Sequence, residues 1–416
     1  MSGAFGAVKV TLGLSLSLSG PYAAMGRQAE AALRMFVADS NVSAVRIGGE
    51  RAEFALECRD DRSDRTRCAE IYRELCSGTA ANIILGPYSS KLTAVAAPIA
   101  ESAGRVFVNH GGAADDLYSH GYRMIVGVLS PASEYLAEFV RLLASLKFWR
   151  KRLAIVAAPT RFARAVAGGV EAAVQSREAK RGRVRIRVKW NGAFDPEVTP
   201  ETLFPALRRN RVNALASAGS YEHDLAVMRA VIDSRINIPV LACVAAGVHS
   251  FRADLGESAE GIVGASQWEP DVEAIAELGP EAREFAHRMR TRTDIGECDY
   301  VAAQAYAAGV LVSAALQKIG SCDQARLREE FAAMRTGTLF GAFEIDPDNG
   351  RQVAHRVLTI QWHEGHKIII EPATTGDRGS LEFPSGWRLI AAGAQMLKLN
   401  RSGRKKDEDE DERGDA

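Results

Sequence analysis

The fold is decided by residues 8–26, which read VKVTLGLSLSLSGPYAAMG. Six alternate positions from Val8 onward are Val or Leu, and the residues between them are mostly Gly, Ser or Thr. A period of two predicts a strand with one apolar face. Gly20 and Pro21 end the alternation, and an apolar run at helical spacing follows up to Val37. A strand that leads directly into a helix is the first half of a βαβ unit.

Strand and helix patterns keep alternating along the chain. Because parallel strands need a crossover between them, this alternation predicts βαβ units and parallel sheets. It runs in two series, one before and one after Pro131, so we predict an α/β protein with two doubly wound parallel-sheet lobes. The later chain adds helical patterns at 281–291, 300–319 and 324–334. Strand patterns lie at 54–58, 82–85, 105–109, 153–157, 184–188, 212–218, 240–243, 357–361 and 367–370.

The composition excludes several classes of protein. The 416 residues are 47% hydrophobic and 25% charged, which is typical of neither a disordered nor a fibrous chain. The 52 basic and 52 acidic residues cancel, whereas a general nucleic-acid binder carries an excess of Lys and Arg. No run of 18 apolar residues occurs, so we predict no membrane span. We expect no export signal in this chain, because the stretch after Lys9 alternates like a strand.

Motifs of enzymes and metal sites are missing from the sequence. The phosphate-binding motif G-x-x-x-x-G-K-[ST] does not occur, and no G-x-G-x-x-G follows a strand. Residues 109–112 resemble the oxyanion segment of α/β-hydrolases, but no G-x-S-x-G nucleophile motif accompanies them. The six cysteines form no C-x-x-C pair, and Cys68 and Cys76 fall on an apolar helical stripe. We therefore predict no catalytic residue, no metal site and no cofactor.

Two polar motifs have competing interpretations. Basic residues alternate with apolar ones at 183–189, which fits either an anion-binding patch or an edge strand protected by charge. We favour the edge strand, because one strand does not make a patch. The segment 363–366 contains two histidines between strand patterns, and we interpret it as a hairpin turn rather than a metal site.

Three Gly- and Ser-rich loops follow strands of the first series. They lie at 18–26, 84–90 and 109–114, each at the carboxyl end of a predicted strand. Open α/β sheets bind ligands at this edge, and helix N-termini present unpaired N–H groups that suit a carboxylate. The hydroxyls of Ser89 and Ser90 add donors. The same residue types also form ordinary turns, but three such loops at one edge favour a ligand site.

At these residues the chain resembles the type I solute-binding proteins, specifically the leucine/isoleucine/valine-binding receptors of ABC transporters. The resemblance covers residues 8–372. It implies the type I periplasmic binding protein fold, in which two lobes joined by a three-segment hinge close on a small ligand. The segments that carry it are 18–26, 85–90, 261–270, 299–300, 338–343 and 361–362.

The resemblance also implies where the chain divides. Residues 373–416 are expected to form a C-terminal extension, disordered from about 401, because 401–416 hold seven acidic and five basic residues without apolar periodicity. The implied boundaries are 1–127 with 269–340 for lobe 1, 128–268 with 341–372 for lobe 2, and crossings near Gly127, Trp268 and Gly341.

The family's ligand contacts carry over to individual positions. The resemblance implies that a hydroxyl at Ser90, with backbone N–H groups at Gly111, Gly112 and Ala113, holds the ligand carboxylate. Further pocket positions of the family match Met25, Tyr88 and Tyr300 of lobe 1, and Phe162, Ser220 and Tyr221 of lobe 2.

Two departures from the family bear on the ligand. Ala113 stands where amino-acid binders have a Thr, which removes a donor to the carboxylate. Residues 243–246 lack the acidic residue that holds the ligand's ammonium in those proteins. A buried ammonium without a counter-charge is strongly unfavourable. We therefore expect a ligand without a free α-amino group: an organic acid, an aromatic acid or an amide.

The resemblance implies a receptor that binds a small solute and performs no reaction on it. Its expected partner is an ABC permease complex, if the protein is exported, and its expected location is the periplasm. The alternative is a cytoplasmic ligand sensor of the same fold that regulates a partner protein, and the lack of a visible export signal favours it. In both cases contacts from two lobes favour the closed form over the open one.

Overall fold

A computed structural model describes residues 7–78, 81–146 and 150–372. Two sheets organise this part of the chain, and we call the parts built on them lobe 1 and lobe 2. The sheet of lobe 1 consists of β1 (Val8–Leu16), β2 (Arg46–Ile47), β3 (Glu50–Asp60), β4 (Ile83–Leu85), β5 (Phe107–Asn109) and β6 (Ile125–Gly127). Its strands lie in the order β2-β3-β1-β4-β5-β6, and all pairs are parallel except β2 with β3.

The alternating segment forms the centre of the first sheet. Val10, Leu12, Leu14 and Leu16 of β1 are completely buried, and β1 lies between β3 and β4. The predicted strand is therefore confirmed. The small residues between the leucines allow close packing: a Cβ added at Gly13 would lie 2.4 Å from the Ala81 Cβ.

The sheet of lobe 2 follows the predicted parallel pattern in most of its strands. The remaining strands of the chain are β7 (Arg152–Ala157), β8 (Arg185–Asn191), β9 (Ala214–Ala218), β10 (Val240–Cys243), β11 (Val263–Ser266), β12 (Thr336–Thr338), β13 (Gly341–Phe343), β14 (Leu358–His363) and β15 (His366–Glu371). The strand order in lobe 2 is β15-β14-β11-β10-β9-β7-β8, in which β7 to β11 are parallel, as predicted, and β14 and β15 are antiparallel, which was not. The strands β12 and β13 form a separate hairpin.

Two local interpretations are confirmed in this sheet. The basic strand β8 lies at its edge, with Arg185, Arg187 and Lys189 exposed and Val188 buried. The segment with two histidines is the turn between β14 and β15, whose ends His363 and His366 pair. The charges on β8 thus line an open sheet edge, where they disfavour pairing with a further strand.

Helices connect the strands of both lobes. The helix Tyr300–Ile319 is long and apolar enough to cross a membrane. However, 89% of its most apolar 18-residue stretch is buried inside the protein, as is typical of a core helix. The helices are α1 (Ala23–Val42), α2 (Arg65–Ser77), α3 (Ser90–Ser102), α4 (Ala137–Ser145), α5 (Arg161–Val174), α6 (Arg177–Arg181), α7 (Thr199–Arg209), α8 (Tyr221–Asp233), α9 (Ser250–Leu255), α10 (Ala282–Arg292), α11 (Tyr300–Ile319) and α12 (Gln324–Ala333).

Helices α10 to α12 return to lobe 1 although they follow lobe 2 in sequence. Asp39 of α1 accepts hydrogen bonds from Arg288 and Arg292 of α10 and from the Tyr306 hydroxyl of α11. Gln324 of α12 accepts from the backbone N–H of Val106, just before β5. The apolar helix α11 is therefore a core helix of lobe 1.

The chain passes between the lobes after β6, after β11 and through the β12–β13 hairpin. Ser130 and Gln267 exchange two hydrogen bonds of 3.0 and 3.1 Å, which join the first two crossings. The His355 ring bridges the Ser130 hydroxyl and the Phe340 carbonyl, and burial lowers its pKa to about 4, so it stays neutral. The implied lobe boundaries stay predictions, and 373–416 lie outside the described residues.

Candidate functional site

A cavity of about 610 Å³ lies between the two lobes. Lobe 1 lines it with the loops after β1, β4 and β5, and lobe 2 with the loops after β7, β9 and β10. In both sheets these loops surround the point where the strand order reverses, which is where open α/β sheets bind ligands. The cavity is therefore the candidate functional site.

The structure brings together nearly all the residues that the sequence singled out. Gly112 is the exception, because it lies outside the cavity. The residues that do line it are Met25, Tyr88, Ser89, Ser90, Gly111, Ala113, Phe162, Ser220, Tyr221 and Tyr300.

Close packing explains the position of the glycine loop after β5. A Cβ at Gly111 would lie 2.3 Å from the Pro87 carbonyl oxygen, and one at Gly112 would lie 2.4 Å from Thr93 Oγ1. Both backbone N–H groups donate to Asn109 Oδ1, at 3.3 and 2.9 Å. The side chain of Asn109 thus stabilises the loop next to the start of α3. Its oxygen accepts hydrogen bonds from the two N–H groups that were predicted to bind a carboxylate.

Ser90, which was predicted to bind the ligand, also stabilises the glycine loop after β5. Its Oγ accepts hydrogen bonds from the backbone N–H groups of Ala113 and Ala114, each at 3.0 Å. The Ala113 donor is therefore also occupied inside the protein, which corrects the predicted set of carboxylate donors. The Ser90 hydroxyl still carries one proton to donate.

The start of α3 supplies other donors to the cavity. Its first intrahelical bonds run from Leu92 and Thr93 to the Ser89 carbonyl. The N–H groups of Ser90 and Lys91 precede these bonds and have no carbonyl within the helix to bond. Together with the positive end of the helix dipole, they suit an anionic or carbonyl group of a ligand.

Aromatic side chains form much of the cavity wall. Tyr22 meets Tyr88 edge to face at 6.0 Å, and Tyr135 meets Phe162 in the same way at 5.4 Å. Burial raises the pKa of Tyr88 to about 12, although a hydrogen bond from Tyr300 lowers it. Tyr22 and Tyr135 were missed from the sequence, where Tyr22 already stood inside a predicted ligand loop. This wall favours a ligand with an apolar or aromatic body.

Carboxylates line the wall of lobe 2, although none is present at residues 243–246. Glu222 and Asp254 both border the cavity, and the Tyr221 hydroxyl donates to Asp254 Oδ2 at 2.5 Å. Val244 and Ala245 occupy the wall where the resemblance places an acid. Residues 243–246 bring no acid to the wall, as the sequence shows, but Glu222 enters it from the start of α8, which the sequence analysis missed.

One buried polar side chain in the wall has no partner. Gln304 of α11 lines the cavity and is 0% exposed. Neither its amide nitrogen nor its amide oxygen makes a hydrogen bond within the part of the chain that the structure describes. Ser89 Oγ, also in the wall, is buried in the same unpaired state.

A buried ionic cluster joins the lobes beside the cavity. Asp299 of lobe 1 accepts from the backbone N–H of His249 at 2.9 Å and pairs with its ring at 2.7 Å. Lys367 of β15 lies 3.4 Å from Asp299 and 2.8 Å from Glu269. Burial raises the pKa of Asp299, but the His249 hydrogen bond and the charge of Lys367 outweigh it and hold the pKa at about 2.

A second ionic contact between the lobes lies in a more open place. Arg161 at the start of α5 lies 2.5 Å from Asp116 of lobe 1, and the two side chains are 40% and 44% exposed. Arg161 also lines the cavity, as do Arg65 and Lys91. Cationic groups therefore stand at the cavity on both lobes.

Comparison with known proteins connects this geometry with a family. Residues 9–367 match the model of a family described as periplasmic binding protein. This span covers both lobes and all three crossings.

Solved structures share the fold at low sequence identity. Leucine binding protein LivK from Thermotoga maritima is 18% identical, with a TM-score of 0.73 over 86% of this chain and 97% of that one. The substrate binding protein LivJ from Streptococcus pneumoniae, in complex with isoleucine, is 18% identical with a TM-score of 0.72 over 88% and 100%. A solute binding protein from R. palustris, in complex with benzoate, is 18% identical with a TM-score of 0.70 over 88% and 96%.

Proposed function

Because the chain belongs to the periplasmic binding protein family, we propose that it is the substrate-binding receptor of an ABC transporter. It holds a small organic solute in the cavity and delivers it to a permease complex. The observation that carries this proposal is the cavity itself, since both lobes line it at the carboxyl ends of their parallel strands. A ligand that contacts both walls stabilises the closed arrangement of the lobes.

The chemistry of the walls supports a ligand with an apolar body and a polar head. The aromatic rings of Tyr22, Tyr88, Tyr135 and Phe162 suit the body. The N–H groups at the start of α3 and the Ser90 hydroxyl suit a carboxylate or a carbonyl oxygen. An organic acid, an aromatic acid or an amide combines these features.

An α-amino acid fits this site less well. Its ammonium group needs a counter-charge, and Val244 and Ala245, where the resemblance places an acidic residue, carry none. In the lobe 2 wall, Asp254 already binds Tyr221, and Glu222 is exposed and raises the pKa of Tyr88 by its charge. We therefore expect α-amino acids to bind more weakly than organic acids and amides.

Calorimetric titration of the purified protein tests the ligand class. The ligands are benzoate, benzamide, isovalerate, isovaleramide and leucine, and we expect binding by an acid or an amide but not by leucine. Phe162→Ala removes a ring from the cavity wall and should weaken that binding about tenfold or more. Tyr122→Ala, outside the cavity, is the matched control. Submicromolar binding of leucine contradicts the proposal.

The proposed location is the periplasm, where this family works with its permease. Osmotic-shock fractionation of cells that express the native gene tests it. We expect the protein in the released fraction. Retention in the cytoplasm contradicts the transport role and favours a ligand sensor.

A further inference from the structure

Gln304 stands out in the most apolar helix of lobe 1. It lies one turn after Tyr300 in α11, and its neighbours Val301, Ala303 and Ala305 are buried apolar residues. The amide of Gln304 carries two donors and one acceptor, yet both polar atoms lack a partner among the described residues. A buried amide without hydrogen bonds is unfavourable for folding, so an apolar residue of similar size would suit this position better in the empty protein.

The unpaired groups of the cavity wall lie on segments that meet. The Tyr300 hydroxyl bonds that of Tyr88, which precedes Ser89 in the loop before α3. This contact places the start of α11 beside the loop that carries Ser89, whose Oγ is also unpaired. Gln304 and Ser89 are therefore two polar groups without protein partners in the lobe 1 wall of one cavity.

The chemistry of the amide selects among ligand groups. A carboxylate only accepts hydrogen bonds, so it would satisfy the Gln304 nitrogen and leave the oxygen unpaired. A group that both donates and accepts satisfies both atoms. We propose that Gln304, together with Ser89, binds a neutral donor–acceptor group of the ligand, a carboxamide or a hydroxyl. This inference rests on the proposed function and names the residue that separates neutral from charged solutes.

The first experiment needs no ligand. Gln304→Leu removes the unpaired amide, and we expect the melting temperature of the ligand-free protein to rise by about 2 °C. Gln317→Leu makes the same exchange at an exposed position of the same helix, where the amide donates to Ser313, and should leave the melting temperature unchanged or lower it. A Gln304→Leu protein that melts lower than the wild type overturns the inference, since Gln304 then stabilises the empty fold.

The second experiment measures selectivity with three probes of one shape: benzamide, benzyl alcohol and benzoate. We expect Gln304→Leu to weaken binding of the neutral probes about tenfold and to change benzoate binding by less than about threefold. Ser89→Ala should reduce the same preference. Equal losses for all three probes overturn the inference. If no probe binds, the proposed ligand class fails, and the melting temperatures alone decide the role of Gln304.

Discussion

Two of the ionic contacts between the lobes differ in their access to water. In the cluster of Lys367, Glu269 and Asp299 the charged side chains are between 2% and 6% exposed. In the pair of Arg161 and Asp116 they are 40% and 44% exposed. Buried charges interact strongly and depend on their partners, whereas exposed charges are screened by water and salt. Contacts that look alike in distance therefore differ in their effect on the protein.

The buried cluster is connected with the cavity wall through residues next to it in sequence. Three residues next to Asp299 and His249 in sequence line the cavity: Tyr300, Val248 and Ser250. The hydrogen bonds between Asp299 and His249 thus hold a segment of each wall.

The largest expected effect follows from breaking the buried cluster. Lys367→Met leaves the carboxylates of Glu269 and Asp299 buried without their cation, which should lower the free energy of unfolding by about 3–5 kcal/mol. Urea unfolding followed by circular dichroism measures it. Lys189→Met removes a lysine from its pair with Glu171, in which the side chains are 57% and 41% exposed, and should cost less than about 1 kcal/mol. Equal losses in the two variants would show that burial is not the deciding factor.

The next effect is a pH dependence of the buried cluster. The folded pKa of Asp299 is about 2, below the ordinary 3.8, so the unfolded state binds more protons between these values. The stabilisation is complete above pH 4 and is lost as the pH falls toward 2, by about 2 kcal/mol. The difference in unfolding free energy between wild type and Asp299→Asn should shrink over this range. A constant difference contradicts the assignment.

The smallest effect is expected at the exposed pair. Asp116→Asn removes its charge and should change the free energy of unfolding by less than about 1 kcal/mol. Raising NaCl from about 0.05 M to about 1 M should abolish the difference in unfolding free energy between the wild type and this variant, because salt screens exposed charges. If the variant loses more unfolding free energy than this and salt does not change the loss, the exposed pair contributes to stability in the same way as the buried cluster.

The sequence predicted the fold well because the fold depends on periodic burial. The alternation from Val8 onward and the apolar runs of the second series are visible in the residues alone. The strands β2 and β6 went unpredicted, whereas β4 and β5, also only three residues long, were predicted from the apolar runs that contain them. The lobe 1 loops that line the cavity were predicted because their position follows from strand direction, whereas the lobe 2 residues were implied by the resemblance.

The details of the site depended on tertiary contacts that no local pattern contains. Asn109 occupies the N–H groups of the glycine loop, which changes the predicted donors. Glu222 brings a carboxylate to the wall from the start of α8, whereas the resemblance drew attention to residues 243–246. Gln304 did leave a signal, as a single amide in the apolar first turns of α11.

Ser90 limits how this site can acquire a new specificity. Its oxygen anchors the chain at Ala113 and Ala114 while the residue also borders the cavity, so a replacement alters the shape of the neighbouring loop along with the surface offered to a solute. Met25 and Phe162 contribute side-chain surface from helices and can vary independently. Evolution toward other solutes should therefore proceed through exchanges at such positions, with the serine retained.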